Sequence, residues 1–524
     1  MRIERCWLAA ALAMSAFAAF AANPNQSEGG VTLTPGNVDV VIPRRAPGVV
    51  VFAADEATNF LSRVFGVAVP IRNKPDPNRV SIVLGTNAWS AAAGVDLDGL
   101  FPDGYVMKTA GRALYIAGED DPARRYPNCG RVFFRRGTAN GVYAFLEKWA
   151  GCRFYFPDEL GEIVPRKESI VLPKLDVRDA PAMEDRKYAY HSAGEWFDAD
   201  APDAKRRKWL NILRLRLGGG TLITCHGLSK MYYVRRFRET HPEYLALDEK
   251  GNRVQSPTYD AWIKLCISNE AVVDQIIADW QAAGCPHYIN VCENDGAGFC
   301  RCENCLRLDA DRPGEDFLAT KTDRYLNFYN RVAKKAVRIR PDVQVAAYIY
   351  SFYRHPPRRE RIEYPDNMIF GTVPALGDDV EDSYRQWAER GVKTSFMRPN
   401  YLCYDSAYYR GYEKLMYDGF RTARRYGATA ADFDHGSGDA RQQDFENYVC
   451  ARMLAYPDKG FEEIADEFYR PYGVAAPAVR AVRERIRANG EAALVRMVRK
   501  NPNYRKLRIL DDGGNTVDLV PATL

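Results

Sequence analysis

The chain has 524 residues, 46% of them hydrophobic and 27% charged. That is enough for two or three domains around a large buried core and excludes wholesale disorder. A formal net charge of +5 is small for this length and speaks against a dedicated nucleic-acid binder, which concentrates basic residues on one face; the short runs Lys205–Lys208 and Arg358–Arg361 read as solvated faces.

The first 22 residues read as a secretory signal. Arg2 and Arg5 precede an apolar stretch from Leu8 to Phe20, with small residues at Ala19, Ala21 and Ala22 for cleavage. Cys6 lies ahead of the apolar stretch, so it is no lipobox cysteine. A secreted or periplasmic location is expected, with no integral membrane segment after signal cleavage. Of twelve cysteines, Cys6 goes with the signal; the odd remainder leaves at least one free or bound to something else.

Residues 24–175 read as a small α/β domain. Val38 to Ile42 is a strand, and Asp55 opens a helix with Ala57, Phe60, Leu61, Val64 and Phe65 on one face, stopped by Gly66. Val80 to Leu84 is a strand ending at Gly85. Tyr105–Lys108 and Ala113–Ala117 pair around a turn at Gly111. Thr138 is expected to cap a second helix carrying Val142, Phe145, Leu146 and Trp149, ended by Gly151. Two helices on a mixed sheet follow.

Pro165, Pro173 and Pro181 punctuate a linker. From 182 to 440 strands alternate with helices. The candidate strands are Tyr188–Tyr190, Thr221–Cys225, Tyr288–Cys292, Val343–Tyr350, Met368–Val373, Thr394–Met397 and Ala428–Phe433, with one more near Leu265. Helices such as Glu270–Ala283 and Thr322–Arg340 lie between them. The alternation predicts an α/β fold, a (β/α)8 TIM-type barrel of the usual length of about 250 residues, preceded by the small accessory domain. A doubly wound open sheet is the structural alternative. Residues 441–524 form a C-terminal helical segment, with Phe461, Ile464, Ala465 and Phe468 at helical spacing.

Barrel enzymes place their chemistry at the C-terminal ends of strands. That rule selects Glu293 and Asp295, His226, His191 with Glu195, Tyr348 and Tyr350, Arg398, and finally Asp432, Asp434 and His435. Glycoside hydrolysis needs one protonated and one ionised carboxyl across a pocket. Asp295 or Glu293 is the expected general acid and Asp432 or Asp434 the opposing carboxylate. His191, His226, Tyr348, Tyr350 and Arg398 are the candidate sugar-binding residues, with Trp196, Tyr353, Tyr401 and Tyr404 available on the rim. The competing reading is ordinary: loop acids are mostly solvated, Asp295-Gly296 can be only a turn, and Arg398 can serve in a salt bridge. His241 and His287 read as structural. Cys300, Cys302 and Cys305 are spaced C-x-C-x2-C. Three thiolates with a fourth ligand, Cys292, Cys266 or a histidine, would make a structural zinc site; a disulfide with a third partner fits an exported chain equally. No cofactor is expected for catalysis.

His241-Pro242-Glu243-Tyr244, Leu265-Cys266-Ile267-Ser268-Asn269, and Asn294-Asp295-Gly296 leading to Phe299-Cys300-Arg301-Cys302-Glu303-Asn304-Cys305 resemble, in this order, the domain of unknown function 4838 family over about Arg186 to Tyr472. The resemblance implies an exported protein of glycan-degrading bacteria related to glycoside hydrolase barrels. Ala53–Gly66, Leu84-Gly85, Asp103-Gly104-Tyr105 and Gly141–Glu147 resemble the accessory domain before the barrel of α-glucuronidases and β-hexosaminidases, which carries no catalytic acid. Hexosaminidases place an adjacent Asp-Glu pair after the fourth strand, whereas here Asn294 separates Glu293 from Asp295, so their substrate-assisted mechanism on N-acetyl sugars does not carry over. The α-glucuronidase arrangement, one acid there and others later in the barrel, is easier to match.

The expected function is therefore that of an exported glycoside hydrolase acting with paired carboxylates on complex, uronic-acid-containing or N-acetylated glycans. The rival is a non-catalytic glycan-binding protein on the same barrel. A zinc hydrolase ranks last, because no H-E-x-x-H occurs.

Overall fold

The computed structural model describes residues 30–123, 135–156, 159–188, 204–219, 222, 226–230, 233–253, 263–374, 379–399, 411–433, 444–500, 509–510 and 516–517. The signal expected over 1–22 and several rim candidates, namely His191, Glu195, Trp196, Tyr401, Tyr404, Asp434 and His435, lie outside the described residues.

The first sheet has six strands in the order Asp176–Asp179, Tyr105–Ala110, Ala113–Gly118, Val80–Leu84, Val38–Val41 and Ile71–Arg72. Its first two pairings are antiparallel and the rest parallel, the mixed sheet expected. The two long helices pack on it. The first runs Gly48–Phe65, beginning well before Asp55. Val49, Val50, Phe52 and Ala53 are all buried in the core beneath it, so packing overrides the low helix preference of the valine run. Gly66, at φ 73°, ends it in the left-handed conformation that only glycine adopts cheaply. The second spans Gly137–Phe145 and continues through a π-turn, Leu146–Ala150, to Gly151. Thr138 is not its cap. It lies inside the first turn, where its hydroxyl donates to Asp120 Oδ2 at 2.5 Å and accepts from the Gly118 N–H at 3.2 Å, tying the helix to the sheet end.

The second sheet is parallel and curled, with six strands in the order Asp185–Tyr188, Ala428–Phe433, Ser395–Met397, Met368–Thr372, Gln344–Ile349 and Tyr288–Asn290. The first strand in the chain pairs with the last. Helices Glu270–Ala282, Thr322–Ala336, Val380–Glu389 and Glu413–Arg425 alternate with the strands, as crossover connections require. One expectation changes, and one lies almost wholly outside the described residues. Leu265 forms no parallel strand but an isolated antiparallel bridge to Leu245. Of the strand expected over Thr221–Cys225, only Leu222 is described, its N–H donating to the Asp185 carboxylate at 3.1 Å. Helices Asp444–Ala455, Phe461–Tyr469 and Ala476–Lys500 follow, with Phe461, Ile464, Ala465 and Phe468 buried as their spacing predicts, but the segment expected to be helical throughout ends in a short antiparallel pair, Ile509–Leu510 with Thr516–Val517.

Apolar packing joins the two sheets, since Phe52 and Tyr143 share one core with Trp209, Leu213 and Tyr448. Buried ion pairs cross the same boundary. Arg186 Nη2 lies 2.8 Å from Asp103 Oδ2, Arg452 Nη1 lies 2.8 Å from Glu147 Oε1, and Arg214 reaches Glu56 at 3.0 Å and Glu162 at 2.6 Å. Charges removed from water persist only when so paired.

Candidate active site

The acidic tip follows the strand Tyr288–Asn290, and its acids face opposite ways. Glu293 is fully buried. Its Oε2 accepts from the Tyr325 hydroxyl at 2.5 Å and its Oε1 from the Asn294 N–H at 2.6 Å. Asn294 donates through Nδ2 to the Ile263 carbonyl at 2.6 Å, and Lys264 Nζ donates to the Asn294 carbonyl at 2.5 Å. The Glu293 carboxylate is thereby committed to the protein interior, which removes it from the role of general acid. Asp295 keeps 30% of its side chain exposed.

His226 reaches this tip from the neighbouring segment. Gly227 allows the approach, because a Cβ there would lie 2.5 Å from the Asn290 backbone oxygen. The His226 Nδ1 is 2.8 Å from the Glu293 carbonyl and Nε2 is 3.2 Å from Asp295 Oδ2. Burial by itself raises the pKa of Asp295, but the hydrogen bond and charge of His226, the Tyr350 hydroxyl and the Lys264 ammonium outweigh it and hold the carboxyl below its usual range. Burial opposes charge on His226, yet the bonds to Asp295 and to the Glu293 carbonyl prevail and raise its pKa. Lys264, buried beside both acids, is depressed, burial outweighing the two carboxylate charges.

The contacts continue along the strand ends. The His226 ring lies edge-on to Tyr348 with centroids 6.5 Å apart, and Tyr348 meets Tyr350 at 6.3 Å. The Arg398 guanidinium carbon sits 5.1 Å from the Tyr348 ring centre, and Arg398 Nη1 is 2.9 Å from Asp432 Oδ2. Asp295, Tyr348, Tyr350, Arg398 and Asp432, at or beyond strand ends, thus form one continuous group with His226. Tyr353 is buried against Tyr325, its ring also 6.4 Å from that of Tyr350. His241 and His287 stand apart, beside Glu243 and Asp342. Sequence reasoning missed Lys264 and Tyr325. Lys264 had a signal: it is a single cation inside the apolar run Ile263–Ile267.

Residues 156–484 match the family described as "Domain of unknown function (DUF4838)". The chain belongs to the DUF4838 family. No curated protein matches this DUF4838 chain. Among solved structures it is similar to a family GH115 4-O-methyl-α-glucuronidase "with specificity for decorated arabinogalactans", at 14% identity and a TM-score of 0.50, covering 87% of this chain and 62% of that one. The chain thus spans less than two thirds of that enzyme, and the likeness is one of fold. Also similar are a GH138 enzyme targeting pectin rhamnogalacturonan II (12% identity, 88% and 70% covered, TM-score 0.46) and a β-N-acetylhexosaminidase from Bacteroides fragilis (10% identity, 85% and 94% covered, TM-score 0.45). Among the described residues, no helix is long and apolar enough to cross a membrane.

The cysteine cluster of this DUF4838 protein gathers behind the acidic tip. The sulfurs of Cys266, Cys300, Cys302 and Cys305 all lie within 4.8 Å of one another. Of the fourth partners considered, Cys266 is the one present. Cys292 points elsewhere, its thiol 3.6 Å from the Ala346 carbonyl.

Proposed function

We propose that this DUF4838 protein is an exported, glycan-active protein of the glycoside hydrolase type, its curled sheet forming part of a (β/α)8 barrel with the site at the C-terminal ends of the strands. One observation carries the reading. Asp295, Tyr348 and Tyr350, Arg398 and Asp432 come from four strands of one parallel sheet, only Met368–Thr372 between them contributing none, and join through His226 into a single group. The pairing of the first and last strands supports closure of the sheet.

Within this reading Asp295 is the ionised carboxylate, acting as base or nucleophile, because its surroundings depress its pKa. The role of general acid first expected for it then passes to Asp434, because Arg398 holds Asp432 in a buried ion pair. Tyr350, half-buried, is the tyrosine of the group that meets the sugar ring, while buried Tyr348 and the Arg398–Asp432 pair form the wall behind it.

One observation favours the rival, a glycan-binding protein. Both described carboxylates of the group, Asp295 and Asp432, stand against a cationic partner, His226 and Arg398. A hydrolase needs one carboxyl that carries a proton.

An activity screen on uronic-acid-containing and N-acetylated oligosaccharides, run beside Asp295→Asn, separates the two. Hydrolysis by the wild type, reduced about 100-fold or more in the variant, supports the enzyme. Equal activity in both dismisses Asp295. Binding on a glycan array with no turnover on any substrate supports the rival.

A further inference from the structure

We propose that Cys266, Cys300, Cys302 and Cys305 bind one zinc ion in a closed tetrathiolate site that clamps the loop carrying Asp295. The argument starts from the sulfur positions. Cys266 Sγ lies 3.6 Å from Cys302 Sγ and 4.0 Å from Cys305 Sγ. A zinc ion with bonds of about 2.3 Å to four sulfurs sets them about 3.8 Å apart at the corners of a tetrahedron. A disulfide brings its two sulfurs to about 2.05 Å. All four cysteines are free thiols here, and Cys266, Cys300 and Cys305 are buried.

The surroundings suit thiolates. Four thiolates around Zn2+ leave two net negative charges, which need donors nearby. The Leu247 N–H donates to Cys300 Sγ at 3.2 Å, and the Cys305 N–H to Cys302 Sγ at 3.4 Å. Arg253 Nη1 lies 4.0 Å from Cys300 Sγ. The Ser268 hydroxyl accepts from the Cys305 thiol at 3.1 Å and stands 3.6 Å from Cys302 Sγ and 3.7 Å from Cys266 Sγ, placed to donate its one proton to one of these sulfurs once they are thiolates. Binding the ion releases the four thiol protons to solvent and changes no oxidation state.

Four protein ligands leave no open position, so the ion is structural. Its two ligand segments hold the acidic tip from both sides. Ile263 and Lys264, just ahead of Cys266, bond to Asn294 at 2.6 and 2.5 Å. Lys264 Nζ sits 4.5 Å over the ring of Phe299, the residue before Cys300, and Arg324 donates to the Cys300 carbonyl at 2.7 Å. Joining Cys266 to Cys300, Cys302 and Cys305 closes this frame around Asn294, whose neighbour is Asp295. The inference does not rest on the glycan reading, since metal content is measured without substrate.

The test is elemental analysis of the purified full chain, with intact mass under denaturing, non-reducing conditions and thiol titration of the folded chain before and after chelation. About one zinc per chain is expected, with the four thiols reactive only after chelation. Cys305→Ser should lose nearly all the zinc, while Cys285→Ser, a cysteine outside the cluster, should retain it. Should Cys305→Ser fail to accumulate, the wild-type zinc content and thiol count decide. Metal-free protein, with either disulfides or four reactive thiols in the cluster, overturns the proposal, and so does iron in place of zinc.

Discussion

His226 Nε2 stands 3.2 Å from Asp295 Oδ2 while Nδ1 of the same ring lies 2.8 Å from the Glu293 carbonyl. Both partners are acceptors. A neutral imidazole has one N–H and can satisfy only one of them; the imidazolium satisfies both. The site therefore favours a charged histidine beside an ionised aspartate, and the two shifts, His226 upward and Asp295 downward, are two sides of one interaction.

That pair makes stability depend on pH with a definite sign. The His226 pKa is raised, so its contribution is complete below the ordinary value of 6.5 and disappears as pH rises through the higher folded value. The Asp295 pKa is lowered, so its contribution is present above 3.8 and disappears as pH falls through the lower folded value. In thermal melts the gap between the wild type and His226→Ala should narrow as pH increases from about 6 to about 9. A gap constant over that range would show that the ring carries no extra proton in the fold.

Gly227 sets where that ring stands. A Cβ at this position would meet the Asn290 backbone oxygen and side chain at 2.5 Å, and the backbone of a paired strand cannot yield as a flexible side chain can. Gly227→Ala should cost about 1–3 kcal/mol by overpacking. It should also move His226 from Asp295 and, for the hydrolase proposed above, lower turnover by about 10-fold or more, since small misplacements in a reacting site are expensive. Chemical denaturation and steady-state kinetics read the two effects separately. A variant of wild-type activity would mean that the close approach does not position the histidine.

Much of this arrangement was legible in the sequence because it depends on periodicity. The strand Ala428–Phe433 has the extent expected, and the parallel strands put their C-terminal ends on one rim, which brought Asp295, Tyr348, Tyr350, Arg398 and Asp432 together, with His226 beside them. What failed depends on tertiary packing. Glu293 lies beyond the regular strand, where alternation no longer tells inside from outside, and a distant hydroxyl, that of Tyr325, claims it. The helix beginning at Gly48 was hidden by a valine run that packing makes helical. Spacing named three cysteines; only the fold selects Cys266 over Cys292 as the fourth.

Arg398 and Asp432 are only 5% and 10% exposed in their side chains, so neither charge can be solvated if the other is removed. Arg398→Met should destabilise the protein by about 3–5 kcal/mol by leaving Asp432 buried and unpaired. The double variant Arg398→Met/Asp432→Asn should recover more than half of that loss, because the orphaned charge is gone. Urea unfolding of the four proteins of the cycle gives the coupling. Additive losses would show that the two groups do not depend on each other.

Arg186 gives the most demanding prediction, because its fork serves four acceptors at the join between the two sheets. Nε donates to the Arg216 carbonyl at 2.8 Å, Nη1 to the carbonyls of Met183 at 2.5 Å and Glu184 at 3.0 Å, and Nη2 to Asp103 Oδ2 at 2.8 Å. Burial pushes the Asp103 pKa up, but Arg136 and Arg186 together pull it below its usual value, so the carboxylate stays ionised out of water. Arg136 remains after Arg186 is lost, but only its backbone N–H donates to Asp103, at 3.3 Å, while its Nη2 is 4.0 Å away, too far for a hydrogen bond. Arg186→Met should therefore cost about 3 kcal/mol or more, near the lower end for an orphaned buried charge. Arg186→Lys should restore less than half of it, since a point ammonium cannot replace a planar fork aimed at four oxygens. Denaturant unfolding of the full chain checks both, and full rescue by lysine would mean that charge alone, without the geometry of the fork, holds the two sheets together.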